Sequence, residues 1–147
     1  MWLTLYKGIK INSKSPSFMI FSKKTAKMIL SFQQNRNFDN EAGGLLIGYL
    51  RGRHFDVRYI TTPQIGDIRR PFYFERKDPR HIQILNRLKL ASKGKLTYLG
   101  EWHTHPEDVP VPSTHIDLKE WERIKRSRNY PIVFIIIGRK SYYTTIL

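Results

Sequence analysis

The chain has 147 residues, 40% of them apolar and 13% aromatic, which suits one globular domain, 1–147, with a core of its own and argues against disorder. It contains no cysteine, which excludes disulfides, thiolate metal sites and a cysteine nucleophile and agrees with a reducing, cytoplasmic setting. The net charge of +14 favours acidic proteins, polyanions or anionic surfaces as partners. No apolar run approaches the roughly 20 residues of a spanning helix, and the opening MWLTLYKGIK is charged too soon for a signal peptide, so a soluble protein is expected.

In chain order, Met1 to Ile11 reads as an opening strand or arm, and SPSFMIFS as a second extended piece. A helix is predicted from about Lys23 to Asn35, with Ala26, Ile29, Leu30 and Gln33 on one face. AGGLLIGYL is a nearly unbroken apolar run, as in a strand buried on both sides. Its glycines Gly43, Gly44 and Gly48 leave room for another chain to pass close. Arg51-Gly52-Arg53 turns it back into the alternating HFDVRYIT. PFYFE is a further strand. Asp78-Pro79 then opens a helix carrying Ile82, Leu85, Leu88 and Lys89 at helical spacing. Next come the strand KLTYLGEWHTH, a proline-bearing loop, a helix from about Thr114 to Arg126, and the strands IVFIIIG and SYYTTIL around a turn at Gly138 to Lys140. This order predicts a mixed α/β fold with one central mixed sheet and helices on both sides.

The segment Gly100 to Trp121 concentrates the chemistry. Six of the 12 acids fall between Glu101 and Glu122, against a single lysine, Lys119, so this is an acidic island on a basic protein that suits a cation. His103 and His105 stand at i and i+2 at a strand end, which puts both imidazoles on one side. A catalytic zinc takes three protein ligands and leaves a fourth position to water. Asp117 is the favoured third ligand, because Asp117, Trp121 and Ile124 form the inward stripe of the following helix and a buried carboxylate needs a partner. His115 is an alternative third ligand, and an acid in the first helical turn is an alternative account of Asp117. Glu101, Glu107 and Asp108 read as solvated acids. Glu41, isolated before the buried strand, is the candidate general base.

Together these residues resemble the JAB/MPN domain metallopeptidases that carry the JAMM motif. EAGGLLIG from Glu41 matches the upstream glutamate element, HTHP from His103 matches the histidine pair, and Pro112-Ser113 falls at the distance of the motif serine. One departure stands out: the pattern places aspartate at 116, where Ile116 stands, and Asp117 comes one residue later. Either Thr114 replaces the serine and keeps the Thr-x-x-Asp spacing, which is slightly favoured, or Ser113 keeps its role and the helix start absorbs the insertion. The resemblance implies a cytidine-deaminase-like JAB/MPN fold and Zn2+ held by His103, His105 and Asp117. It further implies Glu41 as the base that deprotonates the attacking water, and a hydroxyl of Ser113 or Thr114 for the oxyanion. The implied reaction is peptide or isopeptide cleavage after the C-terminus of a ubiquitin-like or similarly conjugated protein tail, bound extended along a sheet edge. The compact form looks most like prokaryotic members, some of which accompany antiphage (CBASS-associated) operons and deconjugate a protein from its target.

Two other classes compete. The +14 charge suits a nucleic-acid-binding or DNA-repair-associated JAB-like module, although no recognition helix or stacking pattern supports it. A catalytically weak MPN scaffold would lack a ligand, whereas this chain keeps all four key positions. The aromatics Phe72, Tyr73, Phe74, Tyr142 and Tyr143 are candidates for a substrate groove or for core packing.

Overall fold

The computed structural model describes residues 2–11 and 16–147. Its elements run α1 (Trp2–Lys7), β1 (Ile9–Ile11), β2 (Ser17–Phe21), α2 (Lys23–Leu30), β3 (Gly43–Arg51), β4 (His54–Ile60), β5 (Ile68–Arg70), β6 (Tyr73–Glu75), α3 (Arg80–Ala91), β7 (Thr97–Thr104), α4 (Asp117–Arg126), β8 (Val133–Ile137) and β9 (Tyr142–Ile146). Seven strands form one mixed sheet in the order β1-β2-β4-β3-β7-β8-β9, and β5 pairs with β6 in a separate hairpin. The pairs β2–β4 and β7–β8 are parallel and the other neighbours in the large sheet are antiparallel. This is the mixed α/β architecture the sequence predicts.

Each face of the sheet has its own core. On one face α1 and α2 bring Leu5, Ala26 and Ile29 against Phe21, Val57, Trp102 and Ile135. On the other, α3 and α4 bring Leu85, Trp121 and Ile124 against Leu45, Ile47, Phe134 and Ile136. The central strands β3 and β8 therefore read as continuous apolar runs, because both of their faces are covered. Burying each large apolar side chain contributes about 1.5–3 kcal/mol relative to leaving it in water.

The glycines of β3 let two chains approach. A Cβ on Gly44 would collide with the backbone of Thr61, and one on Gly43 would meet the ring of Phe74 from the hairpin.

Several boundaries differ from expectation. The opening stretch is not extended throughout: it starts with α1, whose Leu5 is fully buried, and only Ile9–Ile11 is strand. Of the second extended piece, Ser15 lies outside the described residues. Helix α2 is capped by Ser22, which accepts from the Thr25 N–H at 3.2 Å, and it ends at Leu30 instead of Asn35. The chain turns there so that Gln34 enters the interior with no exposed surface. In α3 the inward residues are His81 and Leu85, while Ile82 is 40% exposed. Helix α4 begins at Asp117, not Thr114. Strand β5 was not anticipated, because three residues carry too little alternation to read.

Candidate metal centre

Three elements deliver the site. Register in β7 sets His103 opposite Gly43 of β3 and Ile136 of β8, so it emerges at the end of the sheet. His105 lies just past the strand, held by its N–H donating to the Ile137 carbonyl at 3.0 Å. Between them, Thr104 points the opposite way: its N–H donates to the Ala42 carbonyl at 2.8 Å and its hydroxyl donates to Gln34 Oε1 at 2.9 Å. The Ala42 N–H in turn donates to Thr104 Oγ1 at 3.0 Å, which locks Glu41 beside the histidine pair.

Helix α4 brings Asp117 from the other side. Ser113 and Asp117 exchange bonds: the Ser113 N–H donates to Asp117 Oδ2 at 2.7 Å, and the Asp117 N–H donates to Ser113 Oγ at 3.1 Å. The extra residue is absorbed at the helix entrance, where the Leu118 N–H reaches back five residues to the Ser113 carbonyl at 3.1 Å. Thr114 and His115 sit exposed in that turn. The carboxylate stays on the inward stripe with Trp121 and Ile124, and Trp121 stacks on Phe134 at 4.7 Å between ring centres.

The ligand atoms converge. His103 Nε2 and His105 Nε2 are 3.1 Å apart, and Asp117 lies 3.2 Å from each, through Oδ1 and Oδ2 respectively. Ligands about 2.0 Å from a tetrahedral zinc stand about 3.3 Å apart, so these three side chains fit one face of its coordination shell. Two imidazole nitrogens aimed at each other beside a carboxylate, all largely buried, also form a donor set that suits a shared cation better than hydrogen bonds alone. His115 does not join this group.

The electrostatics agree. Burial works against the charge on Asp117, yet hydrogen bonds from His103 and His105 hold its carboxyl far below the usual carboxylate range. For His105, burial is outweighed by Asp117 and Glu41, so its pKa is raised. Glu41 is 6% exposed, with Oε1 3.8 Å from His105 Nε2. Burial, opposed by His105 and reinforced by Asp117 and Glu107, pushes its carboxyl up to about 8. Burial thus favours the protonated form of Glu41 without a cation, and a cation held by the neighbouring ligands would favour the carboxylate.

The hairpin β5–β6 forms one wall of a cleft of about 560 Å³ that runs from His103 and Asp117 past α4. Tyr73 and Phe74 line it, whereas Tyr142 and Tyr143 pack on the two cores and Phe72 is 76% exposed. Inside the cleft Arg76 pairs with Glu101 at 2.9 Å, so Glu101 is not the solvated acid the sequence suggested. Glu107 and Asp108 are exposed as expected, but Glu107 also stands 3.6 Å from His105 Nδ1, on the ring's far side from the cation site. Gln34, Thr104 and Glu107 are supporting residues that sequence reasoning missed. Only the contrast of Thr104 with its flanking histidines in strand alternation could have pointed to one of them.

The site thus combines a histidine pair at a strand end, an aspartate on the next helix and a glutamate ahead of the neighbouring strand. The chain belongs to the family of prokaryotic homologs of the JAB domain, which matches residues 24–145. Among its relatives is the CD-NTase/cGAS isopeptidase of Pseudomonas aeruginosa (strain BWHPSA011 / Pa011), 41% identical over 84% of this chain and 78% of that protein. Proteins of the same name from Escherichia coli (strain TW11681) and Vibrio cholerae serotype O1 are 38% and 35% identical, over 85% and 88% of this chain and 79% and 82% of theirs. The solution structure of a protein from Desulfitobacterium hafniense superposes with a TM-score of 0.56 at 24% identity, covering 87% of this chain and 82% of that one, a likeness of fold. No helix among the described residues is long and apolar enough to cross a membrane.

Proposed function

We propose that this protein is a zinc-dependent isopeptidase that cleaves after the C-terminus of a conjugated protein tail; the relatives' name, CD-NTase/cGAS isopeptidase, points to a CD-NTase conjugate as the substrate. The observation that carries the reading is the convergence of His103, His105 and Asp117 within 3.2 Å of one another, with Glu41 alongside. When bound, zinc supplies a lowered water pKa and a polarised scissile carbonyl. Glu41 takes the proton of the attacking water and returns it to the leaving amine, a contribution of about 10²–10⁴-fold. Ser113 serves two ends: its N–H fixes the Asp117 carboxylate, and its hydroxyl, which accepts the Asp117 N–H, hydrogen-bonds the oxyanion. The cleft between the hairpin and α4 receives the extended tail.

The test is Glu41→Gln. The variant is expected to keep about one zinc per chain while losing at least about a hundredfold in cleavage of a tail-linked fusion protein. Normal cleavage by the variant would remove Glu41 from the role of base.

A further inference from the structure

Away from the metal centre lies a second buried polar cluster, formed by Thr61, Asp67 and His81. His81, in the first turn of α3, has no exposed surface, and neither does the Asp67 side chain. His81 Nδ1 is 2.5 Å from Thr61 Oγ1, and His81 Nε2 is 2.7 Å from Asp67 Oδ2. Thr61 Oγ1 also accepts the Leu45 N–H at 2.8 Å, so the hydroxyl joins the ring to the β3 backbone. The ring therefore bridges the two side chains, and its Nε2–H donates to the Asp67 carboxylate.

Asp67 gathers both ends of the β5–β6 hairpin. Its Oδ2 accepts the Gln64 N–H at 2.8 Å ahead of β5, and its Oδ1 accepts the N–H groups of Lys77 and Asp78 at 2.9 Å beyond β6. Thr61 ties the same cluster to the sheet: its carbonyl accepts the Trp102 indole N–H at 2.9 Å, next to His103, and its N–H donates to the Leu45 carbonyl at 3.1 Å. The hairpin in turn holds Glu41 by its backbone. The Glu41 N–H donates to the Arg70 carbonyl at 2.9 Å, and Arg69 Nε donates to the Glu41 carbonyl at 2.8 Å. A chain of bonds thus runs from the sheet through Thr61, His81 and Asp67 into the hairpin, and ends on the candidate base.

We infer that His81 is a positioning residue, which docks the β5–β6 hairpin on the sheet and so sets the backbone of Glu41 and the wall of the cleft. The inference rests on the isopeptidase reading only for its consequence in catalysis. An apolar side chain of similar size would fill the space, yet it would leave the buried Asp67 carboxylate without its side-chain donor and the Thr61 hydroxyl without its ring partner. The hairpin would then be held by backbone bonds that open more readily than the sheet.

The experiment compares His81→Leu and His81→Gln with the wild type, reading amide hydrogen exchange residue by residue by NMR, zinc content, and kcat and KM on the tail-linked fusion. Glutamine keeps a donor for Asp67; leucine does not. In His81→Leu the Glu41 amide is expected to exchange at least about tenfold faster while β3–β7 ladder amides such as Leu46 hold their rate. Zinc content is unchanged, kcat falls about tenfold with a smaller change in KM, and His81→Gln recovers most of both effects. Unchanged exchange at Glu41, or acceleration spread equally over the sheet, would overturn the inference and leave His81 a purely stabilising residue. Exchange is read without metal or substrate, so a wild-type protein that neither bound zinc nor cleaved would sink the proposed function and leave this result standing.

Discussion

Replacing Glu41 by glutamine in the zinc-free protein isolates the cost of a buried carboxylate. Burial, with His105 opposing and Asp117 and Glu107 adding, moves the Glu41 carboxyl from 4.5 up to about 8. A folded-state pKa above the unfolded one means that the native protein holds the proton more tightly. The associated stability is complete below pH 4.5 and is lost as pH rises towards 8. Integrating proton release from both states between pH 5 and pH 8 gives a loss of about 3 kcal/mol for the wild type from this group alone. Glutamine has the same shape and no proton to lose. Urea unfolding of chelator-treated wild type and Glu41→Gln at both pH values should therefore show the stability difference shifting towards the variant by about 3 kcal/mol. Groups remote from Glu41 cancel in that difference, His105 follows the loss of its Glu41 partner, and added zinc should shrink the difference, since a cation favours the charged carboxylate. Parallel pH dependence of the two proteins would refute the burial argument for Glu41.

Ser113→Ala should cost about 1 kcal/mol of stability by removing the hydroxyl that accepts the Asp117 N–H, and should lower kcat, whereas Thr114→Ala, at an exposed position, should leave both nearly unchanged. Thermal melting and cleavage assays on the pair check this, and equal effects would return the hydroxyl role to Thr114. Gly44→Ala should destabilise by about 3 kcal/mol or more, because the new Cβ meets the Thr61 backbone and β4 must move. A melting curve unchanged from wild type would contradict the close approach of these chains.

The parts of the site that are periodic were legible in the sequence. His103 and His105 share a side because a strand alternates, and Asp117, Trp121 and Ile124 are all buried because a helix repeats. The burial of β3 followed from its unbroken apolar run. What escaped was non-local. Gln34 meets Thr104 across 70 residues, His81 meets Asp67 across a hairpin, and Glu41 meets Arg70 only once β5 folds back. No local pattern records such pairings. Thr114 was favoured over Ser113 because three-residue spacing fits an ordinary helical turn, whereas the helix entrance here is wider by one residue and Leu118 bonds five positions back. The opening helix α1 was missed because its six residues show fewer than two turns of pattern.

Anomalous diffraction at the zinc absorption edge, on crystals grown with stoichiometric zinc, addresses the metal centre most directly. The account predicts one peak about 2.0–2.2 Å from His103 Nε2, His105 Nε2 and a carboxylate oxygen of Asp117, with the Glu41 carboxylate facing its open side. A map without a peak there, or with Asp117 turned away from the ion, would contradict it.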